Sequence, residues 1–157
     1  WCSSLTSVAI PGGVTSIGNS AFSHCKSLAS ITIPDGVTSI GDDAFSYCES
    51  LTSITIPDSV TSIGEGAFSY CGLAAVYITD VAAWCRINFD NEKANPLYCA
   101  KNLYVNGAKA ETLEIPEGVQ VISSNAFINA ACIGRVALPK SITGVAANAI
   151  SGCRNIE

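Results

Sequence analysis

The sequence of 157 residues has few charged side chains and no strongly basic stretch. Lys, Arg, Asp and Glu make up 13% of the chain, which is about half the usual share, and the formal net charge is −5. The eight Lys and Arg residues form no stripe that could neutralise phosphates, so we expect no nucleic-acid partner. No apolar run approaches the length of a membrane span, so we expect no membrane insertion in this segment.

The sequence also lacks the patterns that catalysis and cofactor binding require. A hydrolase needs a nucleophile with a base beside it, and the chain has a single histidine, His24. The Ile-Gly pairs recur with the repeat and none is part of a G-x-G-x-x-G phosphate loop. We therefore expect neither an enzyme nor a cofactor-binding protein.

A repeat of 23 residues fills the first part of the chain. Residues 25–47, CKSLASITIPDGVTSIGDDAFSY, return almost letter for letter over residues 48–70 as CESLTSITIPDSVTSIGEGAFSY. Residues 2–24 are a third copy. A fixed period in the twenties is typical of a solenoid, in which each copy forms one coil that packs mainly against its neighbours.

The apolar pattern within one copy predicts how a coil is built. Ile31 and Ile33 flank Thr32, which is the pattern of a short strand with one buried face. A proline and an Asp-Gly pair then end this strand. Residues 37–40 predict a second short crossing, and residues 42–45 predict one helical or 3₁₀ turn. The predicted core positions are Leu28, Ile31, Ile33, Val37, Ile40, Ala44 and Phe45.

The pattern C-x-x-L-x-x-I-x-I-P-x-x-V-x-x-I-G-x-x-A-F-x-x-C resembles the BspA-like, or treponemal-type, leucine-rich repeats of bacterial surface proteins. The match is close over residues 1–70 and looser over residues 113–157. The resemblance implies an α/β fold: a right-handed leucine-rich-repeat solenoid of about six coils, with short β-strands, one-turn helical or 3₁₀ segments and a concave sheet. It also implies an extracellular or cell-surface location and a non-enzymatic role in adhesion or protein binding.

Residues 79–107 interrupt the repeat. Asp80 predicts the N-cap of a short helix, and Asn106-Gly107 predicts a hairpin. Cys71 and Gly107 are 36 residues apart, one coil plus 13 residues, so we interpret the block as an enlarged coil inside a single domain of residues 1–157.

The aromatic residues of this block allow two interpretations. Trp84, Phe89 and Tyr98 either fill the core where the regular pattern lapses or form a protrusion that contacts a ligand. The chain begins and ends inside a repeat, so we expect it to be a section of a longer protein and draw no conclusion from the absence of a leader.

The chain contains eight cysteines. Five of them share one column of the repeat: Cys2, Cys25, Cys48, Cys71 and Cys153. In-register coils place such thiols about 4.8 Å apart with parallel Cβ vectors, which does not suit the dihedral of about ±90° in a disulfide. We predict a buried ladder of free thiols and no zinc site, since thiolates along one axis cannot close a tetrahedron. Cys85 and Cys99 lie outside this column in the sequence, and a bridge between them stays an open alternative.

The outward residues of the first strands are the candidate binding surface. On the first three coils these residues are small and rich in hydroxyl groups, and from the fourth coil they include an aromatic, an acidic and an arginine side chain. Aromatic and arginine side chains carry much of the binding energy in interfaces. The proposed contact residues are Thr32, Thr55, Tyr77, Thr112, Glu114 and Arg135. The expected partner is a protein, either a host matrix protein or another bacterial surface protein, and the alternative is a structural spacer without its own ligand.

Two further groups of polar residues have weaker interpretations. His24 aligns with Tyr47 and Tyr70 in a column at the outside edge, and its neighbour Cys25 belongs to the buried ladder, so a Cys–His catalytic pair is not expected. A second group shares one turn position and consists of Asp35, Asp58 and Glu117. One carboxylate per coil falls short of the six or more oxygens around calcium, so we favour solvated turn residues.

Overall fold

The computed structural model describes residues 2–153; Trp1 and residues 154–157, which the predicted domain includes, lie outside the described residues. Each regular repeat forms one coil with two short strands. The first strands, with the hairpin strand β10, form sheet A: β1 (Ser7–Ala9), β3 (Ser30–Thr32), β5 (Ser53–Thr55), β7 (Ala75–Ile78), β9 (Leu103–Val105), β10 (Ala108–Lys109), β11 (Thr112–Glu114) and β13 (Arg135–Ala137). The second strands form sheet B: β2 (Ser16–Ile17), β4 (Ser39–Ile40), β6 (Ser62–Ile63), β8 (Asn88–Phe89), β12 (Val121–Ile122) and β14 (Gly144–Val145).

Successive coils lie parallel and in register, as the period of the sequence predicts. Ser7 pairs with Ser30 in sheet A, and Ser39 pairs with Ser62 in sheet B, each pair being one repeat apart. The paired ladder of sheet A is interrupted between β3 and β5 and again between β10 and β11, and that of sheet B between β8 and β12. The second interruption of sheet A and the break in sheet B both follow the irregular block.

The predicted core positions are confirmed. All seven side chains that the repeat assigns to the core are buried in the second coil: Leu28, Ile31, Ile33, Val37, Ile40, Ala44 and Phe45. The phenylalanines of successive coils stack, with ring centroids 5.4 Å apart for Phe22 and Phe45 and 5.3 Å apart for Phe45 and Phe68. Because no coil has a second layer of its own, stacking supplies the apolar surface that buries these side chains.

The last part of each regular coil is a series of tight turns, where the sequence predicted one helical or 3₁₀ turn. In the second coil Ala44 N–H donates to the Gly41 carbonyl and Ser46 N–H to the Asp43 carbonyl, both in the i to i−3 pattern. Asp43 has φ 52°, in the left-handed region, so the right-handed helical path stops at this residue. Within residues 2–153, helices occur only in the irregular block.

The irregular block contains three short helices and a hairpin. Helix α1 (Val81–Trp84) begins at the predicted N-cap Asp80, whose side chain accepts hydrogen bonds from Ala82 N and Ala83 N. A 3₁₀ helix (Glu92–Ala94) and helix α2 (Leu97–Ala100) follow. Strand β9 then pairs in parallel with β7 and turns back into β10. The block and the hairpin therefore add two strands to sheet A, β9 and β10, that have no counterpart in sheet B.

Candidate binding surfaces

The predicted contact residues lie on the outward face of sheet A. Each of them alternates along its strand with a neighbour whose side chain points to the core, as Thr32 does with the buried Ile31. Five are exposed and Tyr77 is half-buried: Thr32, Thr55, Tyr77, Thr112, Glu114 and Arg135. The alternation of the sequence was sufficient to place them on this face.

An aromatic row crosses the middle of this face. Tyr77 lies opposite Thr55 on one side and Tyr104 on the other. The two tyrosine rings are stacked with centroids 4.9 Å apart and planes 26° apart. Lys109 of the hairpin lies opposite Tyr104 and extends the row. We call these four residues the tyrosine row.

The structure does not bring all the predicted residues into one patch. Thr112 lies opposite Arg135, and Glu114 lies opposite Ala137, in a separate two-stranded ladder. The hairpin strand β10 lies at the edge of the ladder that contains Tyr77, so Glu114 and Arg135 share no row with it. Tyr104 was missed, although its position between Leu103 and Val105 in a short strand indicated an outward side chain.

Two of the three aromatic residues of the irregular block are part of the core. Trp84 and Phe89 are 2% and 3% exposed, with ring centroids 5.4 Å apart in a tilted arrangement. The ring nitrogen of Trp84 donates a hydrogen bond of 2.7 Å to the Ala126 carbonyl. The core-filling interpretation therefore describes these two residues, whereas Tyr98 is half-buried and lines a surface notch.

Asn95 is a buried polar residue whose role was missed from the sequence. In the regular coils a phenylalanine N–H donates to the alanine carbonyl one coil further on, as Phe22 does to Ala44 and Phe45 to Ala67, both at 2.8 Å. The equivalent carbonyl in the coil after the block belongs to Ala126, and it accepts from the Asn95 side-chain amide at 2.9 Å and from Trp84. Two side chains thus supply the hydrogen bonds that a regular coil makes with its backbone.

The edge column of rings is present as predicted. His24 stacks on Tyr47 with centroids 4.5 Å apart, and Tyr47 stacks on Tyr70 at 4.6 Å. All three residues have φ between 57° and 59°. This shared left-handed conformation directs the three side chains alike, which makes the parallel stack possible.

The cysteine ladder is formed by hydrogen-bonded free thiols. The thiols of Cys48 and Cys71 donate to the carbonyls of Phe22 and Phe45, at 3.2 and 3.0 Å. The thiol of Cys99 donates in the same way to Phe68 O at 3.4 Å, so the prediction that Cys99 lies outside the ladder is wrong. Five of the 13 extra residues of the block precede Cys99, so Cys99 follows Cys71 by 28 residues instead of 23 and the fixed period does not reveal its place. Cys85 and Cys99 are both free.

Burial makes the thiols of Cys48, Cys71 and Cys85 poor nucleophiles. Loss of hydration raises the pKa of Cys48 from its ordinary value of 9.0 to about 12, and it raises the pKa of Cys71 further in the same direction. Burial likewise raises the pKa of Cys85 to about 12. A thiol with a raised pKa carries almost no thiolate at neutral pH, and the thiolate is the reactive form.

We expect a thiol reagent to distinguish the eight cysteines. In the folded protein at pH 8, only the exposed Cys2 reacts quickly with an aromatic disulfide reagent, and the others react slowly or not at all. In denaturant all eight react at the rate of free cysteine. The Cys2→Ser variant serves as the control and abolishes the fast phase. A fast phase of several thiols in the folded protein would contradict the buried ladder.

The acidic turn residues form no metal site in the described structure. The Asp58 carboxylate accepts from the Thr79 hydroxyl at 2.7 and 2.8 Å and from Asp80 N at 3.1 Å. Asp35 and Glu117 are exposed. Within residues 2–153 no three side chains of His, Cys, Asp or Glu lie close enough together to hold a metal ion. No helix in that range has the length and apolar character that crossing a bilayer requires.

Comparisons with known proteins agree with this architecture. The family model for the BspA type leucine rich repeat region matches six copies over residues 1–95 and 97–157. A crystal structure of a leucine-rich repeat protein from T. pallidum has a TM-score of 0.55 and 25% identity, covering 96% of this chain and 67% of that one. Comparison with curated proteins gives no match.

A second crystal structure, of the pneumococcal vaccine antigen PcpA, has a TM-score of 0.51 and 19% identity, covering 98% of this chain. At that identity the likeness concerns the fold alone. The chain spans half of the pneumococcal protein and about two thirds of the treponemal one.

Proposed function

Since the chain belongs to the BspA-type leucine-rich repeat family, we propose that it is a non-enzymatic module of a bacterial cell surface that binds a protein partner or mediates adhesion. Leucine-rich repeats present an extended surface built from identical units, and such surfaces commonly mediate protein interactions.

The tyrosine row is the observation that carries this proposal. Tyr77 and Tyr104 place two stacked rings on a face that otherwise presents small hydroxyl residues, as Thr32 and Thr55 do. Tyrosines supply a large contact area at a low entropic cost and are frequent hot spots. On the separate ladder of β11 and β13, the exposed Thr112, Glu114 and Arg135 provide further hydrogen-bonding groups.

We expect Tyr77→Ala and Arg135→Ala to weaken capture of a partner, the tyrosine change more strongly. The measurement is a pull-down of host matrix proteins and bacterial surface components, followed by titration of whichever component binds. Removal of a central aromatic residue should weaken binding by about tenfold or more. Val121→Ala and Lys140→Ala serve as controls, since both residues are exposed and lie outside sheet A. Unchanged binding by both test variants would exclude the proposed surface.

A structural spacer is the second candidate, and the first three coils favour it. The outward residues of β1, β3 and β5 are serine, threonine or alanine, which offer no anchor for a partner. A spacer would hold other domains of a longer protein away from the cell wall and would bind nothing by itself. Failure of the wild-type chain to capture any component would support this candidate over the adhesion module.

A further inference from the structure

A notch of about 180 Å³ lies at the end of the edge column, where Tyr70, Lys93 and Tyr98 meet. Tyr70 is 61% exposed. One face of its ring is covered by Tyr47, and the ammonium of Lys93 lies over the ring at 5.9 Å from the centroid. The Tyr70 ring is therefore already in contact with a cation of the same chain, the Lys93 ammonium.

The irregular block leaves this ring face open to other groups. Tyr98 precedes Cys99 as Tyr70 precedes Cys71, so it holds the next position of the edge column. It lies in helix α2, whereas the three stacked residues have left-handed backbones. Tyr98 consequently makes no ring stack with Tyr70, and the Lys93 ammonium lies over the Tyr70 ring instead.

An acidic groove continues from the notch. It has a volume of about 550 Å³ and shares Ser69 and Lys93 with the notch. Its lining holds four carboxylates, of Asp42, Asp43, Glu65 and Glu92, against the one ammonium of Lys93. Within the described residues, only Asp42 among these carboxylates has a hydrogen-bond partner, and none forms an ion pair. The groove thus has a net negative charge without a compensating partner.

We propose that the notch binds a lysine or arginine side chain of a basic protein segment, whose remaining length lies in the acidic groove. The Tyr70 ring accepts the cation through its face, and Glu65 and Glu92 complement the charge of the segment. Lys93 occupies the cation position in the free protein and is displaced on binding. This surface lies outside sheet A, so the inference does not depend on the tyrosine row.

The volume of the groove favours a peptide segment over a single ion. A lone cation in the notch would leave the groove of about 550 Å³ empty. A chain of basic residues places one side chain on Tyr70 and others beside the carboxylates. The positive charges of such a segment also raise the rate of encounter with this acidic edge at low salt.

The test uses an acetylated and amidated hexaarginine peptide as the probe, titrated by fluorescence anisotropy at low and moderate salt. We expect Tyr70→Leu to weaken binding by about three- to tenfold, because the cation loses the ring face. Tyr70→Phe is the matched control that keeps the ring and should retain the affinity. Because Tyr70 is largely exposed, both variants should keep the thermal stability of the wild type.

A second variant tests the displacement of Lys93. Lys93→Ala should strengthen hexaarginine binding several-fold, while Lys140→Ala, which changes the net charge equally at a distant exposed site, should change it little. Glu65→Gln with Glu92→Gln should weaken binding and reduce its dependence on salt. Equal effects of the two lysine changes, an unaltered affinity of Tyr70→Leu, or no binding of the peptide by the wild type and Lys93→Ala would overturn the proposal.

Discussion

Phe45→Ala is expected to lower the free energy of unfolding by about 3–5 kcal/mol. The Phe45 side chain is fully buried, and its ring lies between those of Phe22 and Phe68 at 5.4 and 5.3 Å. Its removal leaves a cavity that the two neighbouring coils cannot close without losing their strand register. Urea unfolding followed by circular dichroism measures the loss.

Phe22→Ala is the matched control for this prediction. Phe22 has the same position in the first coil but is only half-buried and stacks on one ring. Its loss should therefore cost clearly less than that of Phe45, because part of its surface is already hydrated. A cost below about 1 kcal/mol for Phe45→Ala would show that the ring does not fill the core between coils.

The regular coils could be predicted from the sequence because three near-identical copies report the same pattern. The positions of Ile31, Ile33 and Phe45 are occupied by apolar residues in each copy. Aligning the three copies is therefore enough to predict the strands, the turns and the core. The left-handed turn at Asp43 could not be predicted in this way. Aspartate near the start of an apolar pattern is also typical of a helix N-terminus, and only Gly66, Asn125 and Asn148 at the equivalent position hint at positive φ.

The position of the irregular block could be predicted from the sequence, but its fold could not. Five of its 13 extra residues precede Tyr98 and Cys99 and shift both away from the fixed period, which hides their places in the edge column and the ladder. The role of Asn95 depends on carbonyl groups 30 and 31 residues away in the sequence. A local sequence pattern cannot indicate such a contact. Alternation along each strand was enough to predict which side chains point outward. It could not predict which strands pair with one another, so Glu114 and Arg135 were grouped with Tyr77.

The geometry of the ladder also reconciles free thiols with the proposed surface location. Proteins in oxidising compartments usually pair their cysteines. Here Cys48 and Cys71 donate to backbone carbonyls 26 residues earlier in the chain, and burial raises the pKa of both. Parallel thiols in register do not suit the dihedral of a disulfide, and thiols with little thiolate react slowly with oxidants. The same stacking that buries the apolar residues therefore protects the thiols.

Trp84→Phe combined with Asn95→Leu is expected to cost at least about 3 kcal/mol, because buried carbonyls lose their hydrogen-bond donors. Ala126 O accepts from Trp84 at 2.7 Å and from Asn95 at 2.9 Å, and Asn95 also donates to Asn125 O at 2.8 Å. Each single variant leaves Ala126 O one donor, whereas the double variant leaves it neither.

A double-mutant cycle on Trp84 and Asn95 measures how far the two hydrogen bonds depend on each other. Since the second donor compensates in part for the loss of the first, the double variant should cost more than the sum of the singles, by about 0.5–3 kcal/mol. Urea unfolding of the four proteins measures this coupling, with Phe45→Ala in both backgrounds as a control for a general loss of cooperativity. Strict additivity would mean that Trp84 and Asn95 fill space and do not jointly replace the missing backbone hydrogen bond. A positive coupling energy would show that the irregular block joins the coils on either side through Ala126 O, so that the solenoid continues across the break in its sheets.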